Sequence, residues 1–331
     1  MSYTPSWKGC AHPRAFLFLL IFVLFLLFTI PARGQVVMTE KGKEFEPKVL
    51  HVPYAFYNQS FGAAGGFVCG LTGVGQKQMS ILGTVIAGTN DALALYIVTR
   101  DVQVPFLTRL FIDSDLALST FGKLQSYTDG NRDYTGERAG SNDSSYNNYI
   151  EGPGNDNFAR VKFRYLLPLG NGRDEVVSSV VLDRGLLSQG SVGGDSWNPI
   201  VSGKTFLEMK PYWRSQSVRS DDRRVDRQTN GVEFSVFREN TDFPRNPSKG
   251  STLRARYTRD WGLFDSTNPY DVLDVEFSKY FSLGPSKMFR QRVIAFDVWS
   301  ANVFSWDDNS TRNNGQAVYH RPPPYAGAML G

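Results

Sequence analysis

The sequence predicts an all-β fold, an antiparallel β-barrel that crosses a membrane with its strands. Three observations predict it. From Tyr54 onward the chain is a series of strand-like segments of about ten residues, separated by Gly, Asn, Asp and Pro. Several segments alternate between apolar and polar side chains with a period of two. The chain also begins with a segment that has the features of an export signal.

Residues 1–34 are predicted to be a cleaved secretory signal peptide. Lys8 and Arg14 supply its positive leading region, and the run Ala15–Ile30 is uncharged and almost wholly apolar before Pro31 ends it. That run has 16 residues, fewer than the roughly 20 that span a bilayer as a helix. A single transmembrane anchor is the alternative interpretation. Export directs the mature chain to an extracytoplasmic compartment.

A polar lead at 35–48 is predicted to precede a barrel domain at 49–331. Eleven segments of that domain are strand-like, and Glu175–Leu187 is a twelfth candidate that alternates poorly. The eleven predicted strands are 52–60, 65–74, 78–89, 92–101, 106–119, 157–168, 204–216, 230–239, 251–262, 270–282 and 289–303.

The connections between these segments differ greatly in length. Short turns are predicted at Asn90-Asp91 and at Gly284–Lys287, and long polar loops at Lys123–Asp156, Leu187–Gly203 and Val218–Thr229. Short turns that alternate with long loops are typical of outer-membrane barrels, with the turns on the periplasmic side and the loops outside.

Charged residues alternate with apolar ones in three of the segments. Apolar side chains occupy all the odd positions of 159–167 and most of those of 253–261 and 273–281, and mainly charged side chains stand between them. A period of two places each set on its own face of a sheet. The apolar face is expected to meet lipid, and the charged face to line a polar lumen. The predicted lumen-facing charges are Arg160, Lys162, Arg164, Arg254, Arg256, Asp274 and Glu276.

A soluble sandwich would show the same alternation, with its apolar face inward. Two features favour the membrane barrel. The lengths of the segments match the roughly 9–11 residues that a tilted strand needs to cross a bilayer. Aromatic residues recur near segment ends, as in interfacial girdles: Tyr96, Phe106, Trp261, Phe281, Trp299, Phe304 and Trp306.

Composition argues against several other classes of function. The net charge is +4, and three of the positive charges lie in residues 1–34, so no basic face for nucleic acid is expected. Cys69 is the one cysteine beyond the leader, which excludes an internal disulfide and a cysteine zinc site. His51 and His320 have no adjoining catalytic motif. The sequence therefore predicts neither an enzyme nor a cofactor or metal site.

Several stretches together resemble a known family. The segment Asn246–Ser251 is similar to a Pro-x-x-Gly turn before a strand, and the strands 272–283 and 290–304 follow in order. Arg321–Gly331 resembles the approach to a long sixth loop, and Tyr54–Gly62 resembles a first barrel strand. This pattern is similar to the barrel of the bacterial surface antigen family, the outer-membrane barrel-assembly (BamA/TamA-like) superfamily.

The resemblance implies an outer-membrane barrel of about 16 strands, of which this sequence holds about eleven. The family's polypeptide-transport-associated domains have no counterpart here, and the sequence stops before the family's loop arginine motif. We therefore expect a fragment or a truncated reading frame. The implied partners are outer-membrane lipid and client polypeptides, or a separate periplasmic partner. A passive pore, and an exported soluble β-protein that binds partners through its loops, remain alternatives.

Overall fold

The computed structural model describes residues 36–127, 131, 133–134, 137, 139, 144–221, 224–267, 269–304, 310–311 and 317–318. The predictions for the leader at 1–34, for His320 and for the stretch Arg321–Gly331 lie outside these residues. The described chain is almost wholly β, with one single-turn 3-10 helix at Gly170–Gly172. No helix in this described part is long and apolar enough to cross a membrane.

Eleven strands form one antiparallel sheet in which each strand pairs with its neighbours in sequence order. They are β2 (Lys48–Asn58), β3 (Gly62–Thr72), β4 (Ser80–Gly88), β5 (Ala92–Val104), β6 (Leu107–Ser126), β7 (Ile150–Leu166), β10 (Lys204–Arg219), β11 (Arg224–Thr241), β12 (Gly250–Asp260), β13 (Tyr270–Ser282) and β14 (Val293–Asn302). Each overlaps one of the eleven predicted segments, so the prediction of an all-β antiparallel fold is confirmed. The edge strands are β2 and β14.

A second, three-stranded sheet was not predicted. It contains β1 (Val36–Glu40), β8 (Ser178–Asp183) and β9 (Leu186–Gln189), with β8 in the centre. β1 pairs with β8 in parallel, so part of the predicted polar lead is a strand. The twelfth candidate segment, Glu175–Leu187, belongs to this small sheet and not to the large one. Two further strands, β15 (Ser310–Thr311) and β16 (Ala317–Val318), pair with each other.

The two faces of the large sheet differ in chemistry. We call the outer face the one that carries Leu207, Phe234 and Leu253, and the inner face the one that carries Arg164 and Arg256. The apolar side chains of the outer face are strongly exposed, with values of 45 to 47 % for the three named. The inner face is better buried, and Arg164 is 8 % exposed. Strict alternation along each strand produces this division.

Side chains of non-neighbouring strands meet on the inner face. Ser126 of β6 donates a hydrogen bond of 2.8 Å to Gln216 of β10, across β7. Arg254 of β12 lies 3.9 Å from Glu208 of β10, across β11. Strands of a flat sheet are roughly 4.8 Å apart and their side chains stand parallel. Contacts that skip a strand therefore indicate that the sheet is curved, with the inner face concave.

Long connections occur at both ends of the sheet. We call the end at which β2 begins the proximal end, and the opposite one the distal end. Residues 127–149 connect β6 to β7 distally, whereas 167–203 connect β7 to β10 proximally and contain the small sheet. The predicted division into short turns on one side and long loops on the other is therefore wrong for the described residues.

The predicted loop Val218–Thr229 is also wrong. β10 continues to Arg219, β11 begins at Arg224, and the two strands pair along their whole length. Val218 and Val225 face each other in this register and are 1 % and 8 % exposed. Polar neighbours gave the stretch the composition of a loop, but the buried valines and the backbone pairing keep it in the sheet.

Apolar side chains fill the inner face near the distal end. One cluster includes Ala64 of β3, Ile86 of β4, Ala94 of β5, Phe121 of β6 and Val218 of β10. Near the proximal end, Phe111, Leu166 and Phe206 form a second buried cluster, against which Val176 of the long connection packs. The charged part of the inner face lies between these two apolar clusters.

Candidate functional site: the ion-paired inner face

Arg164 of β7 is the most completely enclosed cation among the inner-face ion pairs. Its guanidinium contacts the carboxylate of Asp113 on β6 at 2.8 Å and that of Asp101 on β5 at 2.6 Å. The rings of Phe111 and Phe206 each lie 5.9 Å from the guanidinium carbon. Removing an ion from water costs several kcal/mol, roughly, unless its partners are well placed. Two carboxylates and two aromatic rings provide that environment here.

A β-bulge brings Asp101 to this site. The register of β5 with β6 shifts between Thr99 and Val102, and Asp101 has a φ of 58°. By regular alternation from Val98 and Arg100, which face inward, residue 101 would point to the outer face. The bulge inserts an extra residue and re-aims the side chain. The backbone N–H of Asp101 donates to Asp113 at 2.8 Å, which fixes the arrangement.

Further ion pairs lie on the same face. Each joins side chains from neighbouring strands, and each is partly buried. They are Arg100 with Asp115 at 2.5 Å, Arg214 with Asp156 at 2.5 Å, Lys210 with Glu233 at 2.5 Å and Arg256 with Asp274 at 2.6 Å. Arg214 meets Asp156 through two parallel hydrogen bonds, the fork geometry in which an arginine binds a carboxylate best.

The seven charges named from the sequence all lie on the inner face. The structure brings some of them together: Arg256 and Asp274 are register partners and form an ion pair. Arg254 has Glu276 as its register partner, but the ion pair it forms is with Glu208. Arg160 lies over the ring of Phe158 at 4.6 Å, and Lys162 has Asp113 as its register partner on β6.

Sequence reasoning missed most of the acidic partners. Asp113 and Asp115 occupy inward-facing positions of β6, and Glu208 and Lys210 occupy inward-facing positions of β10. A search for opposite charges on adjacent strands would therefore have found them. The same search would not have found Asp101, because regular alternation places residue 101 on the outer face and the bulge turns it to the inner face.

The arrangement neutralises charge locally. The acids and bases are paired one with another, and within the described residues no group of three or more His, Cys, Asp and Glu could hold a metal ion. What the face provides is a set of opposite charges held in pairs.

A cavity of about 150 Å³ opens on the inner face at the proximal end. Its lining includes Val36 of β1, Asp101 of β5, Phe206 of β10 and Glu239 of β11. The small sheet therefore reaches over the concave face. The segment before β8 is tied there as well, because Arg109 of β6 donates to the carbonyl of Gly172 at 2.7 Å.

No protein-family model matches the chain, and no curated protein matches it. Among solved structures, the chain is similar to BamA from Haemophilus ducreyi lacking POTRA domains 1–3, with 10 % sequence identity and a TM-score of 0.38. The similarity covers 83 % of this chain and 43 % of that one, so the chain spans less than half the length of that protein.

Proposed function

We propose that this chain is an outer-membrane β-barrel protein of the bacterial surface antigen type, with its outer face in lipid and its ion-paired inner face lining the lumen. The observation that carries the proposal is the outer face itself. Phe67, Val85 and Leu93 in the first strands are 50 to 53 % exposed, and Leu207 and Val236 in later ones are 46 to 47 % exposed. Soluble monomers rarely expose apolar patches this continuous.

The polarity of the two faces fits a membrane and does not fit a soluble sandwich. A sandwich buries its apolar face against a second layer and leaves its charges in water. In this sheet the charges are the buried side, with Arg164 and Glu233 at 7 to 8 % exposure. Charged residues on a lipid face cost about 2–4 kcal/mol at the bilayer midplane, whereas those that face a lumen do not.

The interior supports a role in handling polypeptides more than a role as a passive pore. The small sheet and the apolar cluster around Val176 occupy the inner face proximally, and the cluster around Phe121 occupies it distally. A passive pore needs a continuous aqueous path. The resemblance of Asn246–Ser251 and the strands after it to the assembly superfamily adds support for client polypeptides as substrates.

Membrane integration is tested by expression with the native leader and fractionation of the cells. We expect the chain in the outer-membrane fraction, resistant to urea extraction and with a heat-dependent mobility in gel electrophoresis. N-terminal sequencing should find the mature chain beginning after Gly34. Recovery of a folded chain from the periplasm without detergent would overturn the proposal in favour of a soluble exported β-protein.

The role is tested in two assays on reconstituted vesicles. We expect no stable conductance step in planar bilayers and a faster rate of folding for an added client barrel. A steady, voltage-independent conductance without an effect on client folding would instead identify a passive pore. Empty vesicles are the control for spontaneous client folding.

A further inference from the structure

The last part of the long connection, residues 193–203, folds over the outer face. We call this segment the outer loop. Across β11, β12 and β13, Arg238, Leu253 and Phe277 are register partners and form one row of outer-face residues. The backbone carbonyl of Trp197 accepts a hydrogen bond from Arg238 at 2.6 Å, and its ring stacks on Phe277 at 5.7 Å. The outer loop therefore crosses three strands on the side opposite the ion pairs.

Two side chains of β11 hold the outer loop in place. Arg238 also donates to the carbonyl of Ser196 at 3.1 Å, and the amide of Asn240 donates to that carbonyl at 3.0 Å. The side-chain oxygen of Asn240 accepts from the backbone N–H of Gly194 at 3.0 Å. The loop backbone approaches β11 so closely at Gly193 that a Cβ there would lie 2.5 Å from Asn240. These contacts fix the loop as part of the outer surface.

The outer loop carries three large apolar side chains that nothing in the described chain covers. Trp197, Ile200 and Val201 are 59, 57 and 63 % exposed. The loop backbone is bound by Arg238 and Asn240, and these three side chains stay exposed. Apolar exposure of this kind at the edge of an apolar surface usually marks a contact with a protein or a membrane.

The length of the apolar band on the outer face indicates whether this contact is with a protein or with a membrane. At the distal side the band ends at Arg259 and Asp271, an outer-face ion pair of 3.0 Å. Six residues separate that row from the row of Arg238 along β11. Six residues of strand span about 20 Å, or roughly 16 Å of membrane thickness at a tilt of about 40°. Outer-membrane barrels present an apolar band about 25 Å tall, so β11 and β12 alone are too short.

We propose that the outer loop completes the lipid-facing surface by inserting Trp197, Ile200 and Val201 into the headgroup–acyl boundary of the proximal leaflet. The proposal rests on the membrane location proposed above. The backbone carbonyls of the loop bind the guanidinium of Arg238, a charge on the outer face that would otherwise face lipid.

The charges around the outer loop fit a phospholipid surface. Lys279 of β13 lies over the ring of Trp197 at 5.0 Å and over that of Phe281 at 5.4 Å. Its stem runs along apolar surface while the ammonium stays at the level of the rings, as lysines do at membrane interfaces. Lys249 of the β11–β12 turn lies 3.4 Å from Asp195 at the near end of the loop. Aromatic rings with adjacent ammonium groups are the usual composition of an interfacial girdle.

The test places spin labels on single cysteines in a Cys10→Ser, Cys69→Ser background, in the full chain reconstituted into phosphatidylglycerol and phosphatidylethanolamine vesicles. The labelled sites are Ile200→Cys on the outer loop, Phe234→Cys in the middle of the outer face, and Lys43→Cys in the exposed lead. Collision rates with oxygen and with a water-soluble nickel chelate measure depth. We expect the Ile200 label at an intermediate depth, with nickel accessibility several-fold below that of the Lys43 label.

The other outcomes separate the two proposals. If the Phe234 label is in hydrocarbon and the Ile200 label is as accessible to nickel as the Lys43 label, the outer loop is aqueous and this inference is wrong, while the membrane location stands. If the Phe234 label is also aqueous, the membrane location itself fails. Brominated lipids give a second readout. In the unmodified chain, part of the tryptophan fluorescence should be quenched more strongly by bromines near the headgroup than by deeper ones. The Trp197→Phe chain should lack this part. Equal quenching in the two chains would contradict the insertion.

Discussion

The first four strands of the large sheet and the strands from β6 to β13 differ in what fills their inner face. In β2–β5 the inward positions are mainly small or apolar, and they include Ala64, Gly66, Ile86 and Ala94. From β6 onward the inward positions carry the ion pairs. The outer faces of the two halves are alike, because both are apolar and exposed.

The difference shows that two kinds of interior stabilise one sheet. The first half gains its stability from close packing, since glycines and alanines let backbone and rings approach. The second half depends on matched charges in a region with little water. Arg164 lies where the two halves meet, because its partners Asp101 and Asp113 come from β5 and β6. Variants in each half should therefore fail for different reasons.

The largest effect is expected from Arg164→Met. Removing the guanidinium leaves Asp101 and Asp113 buried together without their cation, at a cost of about 3–5 kcal/mol. Denaturant unfolding in detergent micelles, followed by tryptophan fluorescence, measures the change. The matched control is Arg224→Met, which breaks an ion pair whose side chains are 54 and 57 % exposed and should cost about 0–1 kcal/mol.

A triple variant distinguishes charge from packing at the same site. Arg164→Met together with Asp101→Asn and Asp113→Asn removes the uncompensated charges, so it should recover part of the loss. Equal stabilities for the single and the triple variant would show that the arginine acts through its volume and not through its charge.

Sequence reasoning could identify the strands but only a minority of the ion pairs. Alternation along a strand fixes the face of each residue, which is why Arg256 and Asp274 could be placed opposite each other before their contact was seen. It failed at Asp101, where one inserted residue reverses the alternation.

The small sheet could not be predicted for a different reason. β1 and β8 lie far apart in sequence, and the hydrogen bond from Thr39 to Val180 joins residues 141 positions apart. Five residues such as Val36–Glu40 contain no local signal that selects one distant partner. Parallel pairing over that separation depends on the rest of the fold being in place.

The next largest effect tests the first half of the sheet. An alanine Cβ at Gly66 would lie 2.5 Å from the ring of Tyr54, whose hydroxyl bonds Thr84 at 2.6 Å. Gly66→Ala should therefore lower stability by about 1–3 kcal/mol through overpacking.

The matched control is the adjacent Gly65, on the outer face. An added Cβ there would meet no atom within 4 Å, so Gly65→Ala should change stability by less than about 0.5 kcal/mol. Similar losses for both glycines would mean that backbone flexibility, and not the ring contact, sets the cost.

A smaller effect is expected from the ion pair between β12 and β13. Asp274→Arg places two cations opposite each other at 28 % and 18 % exposed positions, and the added change Arg256→Asp restores opposite charges in reversed order. The double variant should regain about 0.5–1 kcal/mol relative to the single one. A double-mutant cycle of unfolding free energies measures this coupling. A coupling near zero would show that the lumen solvates each of these charges separately.

The smallest effect lies in the distal connection 127–149, outside the strands. Glu137 accepts hydrogen bonds from the backbone N–H of Ser145 at 2.6 Å and from its hydroxyl at 2.7 Å, which lowers the pKa of this carboxyl from its ordinary value of 4.5. A lowered folded-state pKa gives stability that is present above the unfolded value and is lost as the pH falls through the folded one. Hydrogen exchange of the Ser145 amide, corrected for intrinsic rates, should therefore lose protection as the pH falls below the ordinary carboxyl pKa of 4.5. The control variant Glu137→Gln should remove this pH dependence. The backbone amide of Asn148 donates to the carbonyl of Ser145 at 3.0 Å, so its exchange rate should report whether the turn itself persists. Loss of protection at the same pH in the glutamine variant would assign the effect to another titrating group. The Glu137 carboxylate would then not stabilise the connection.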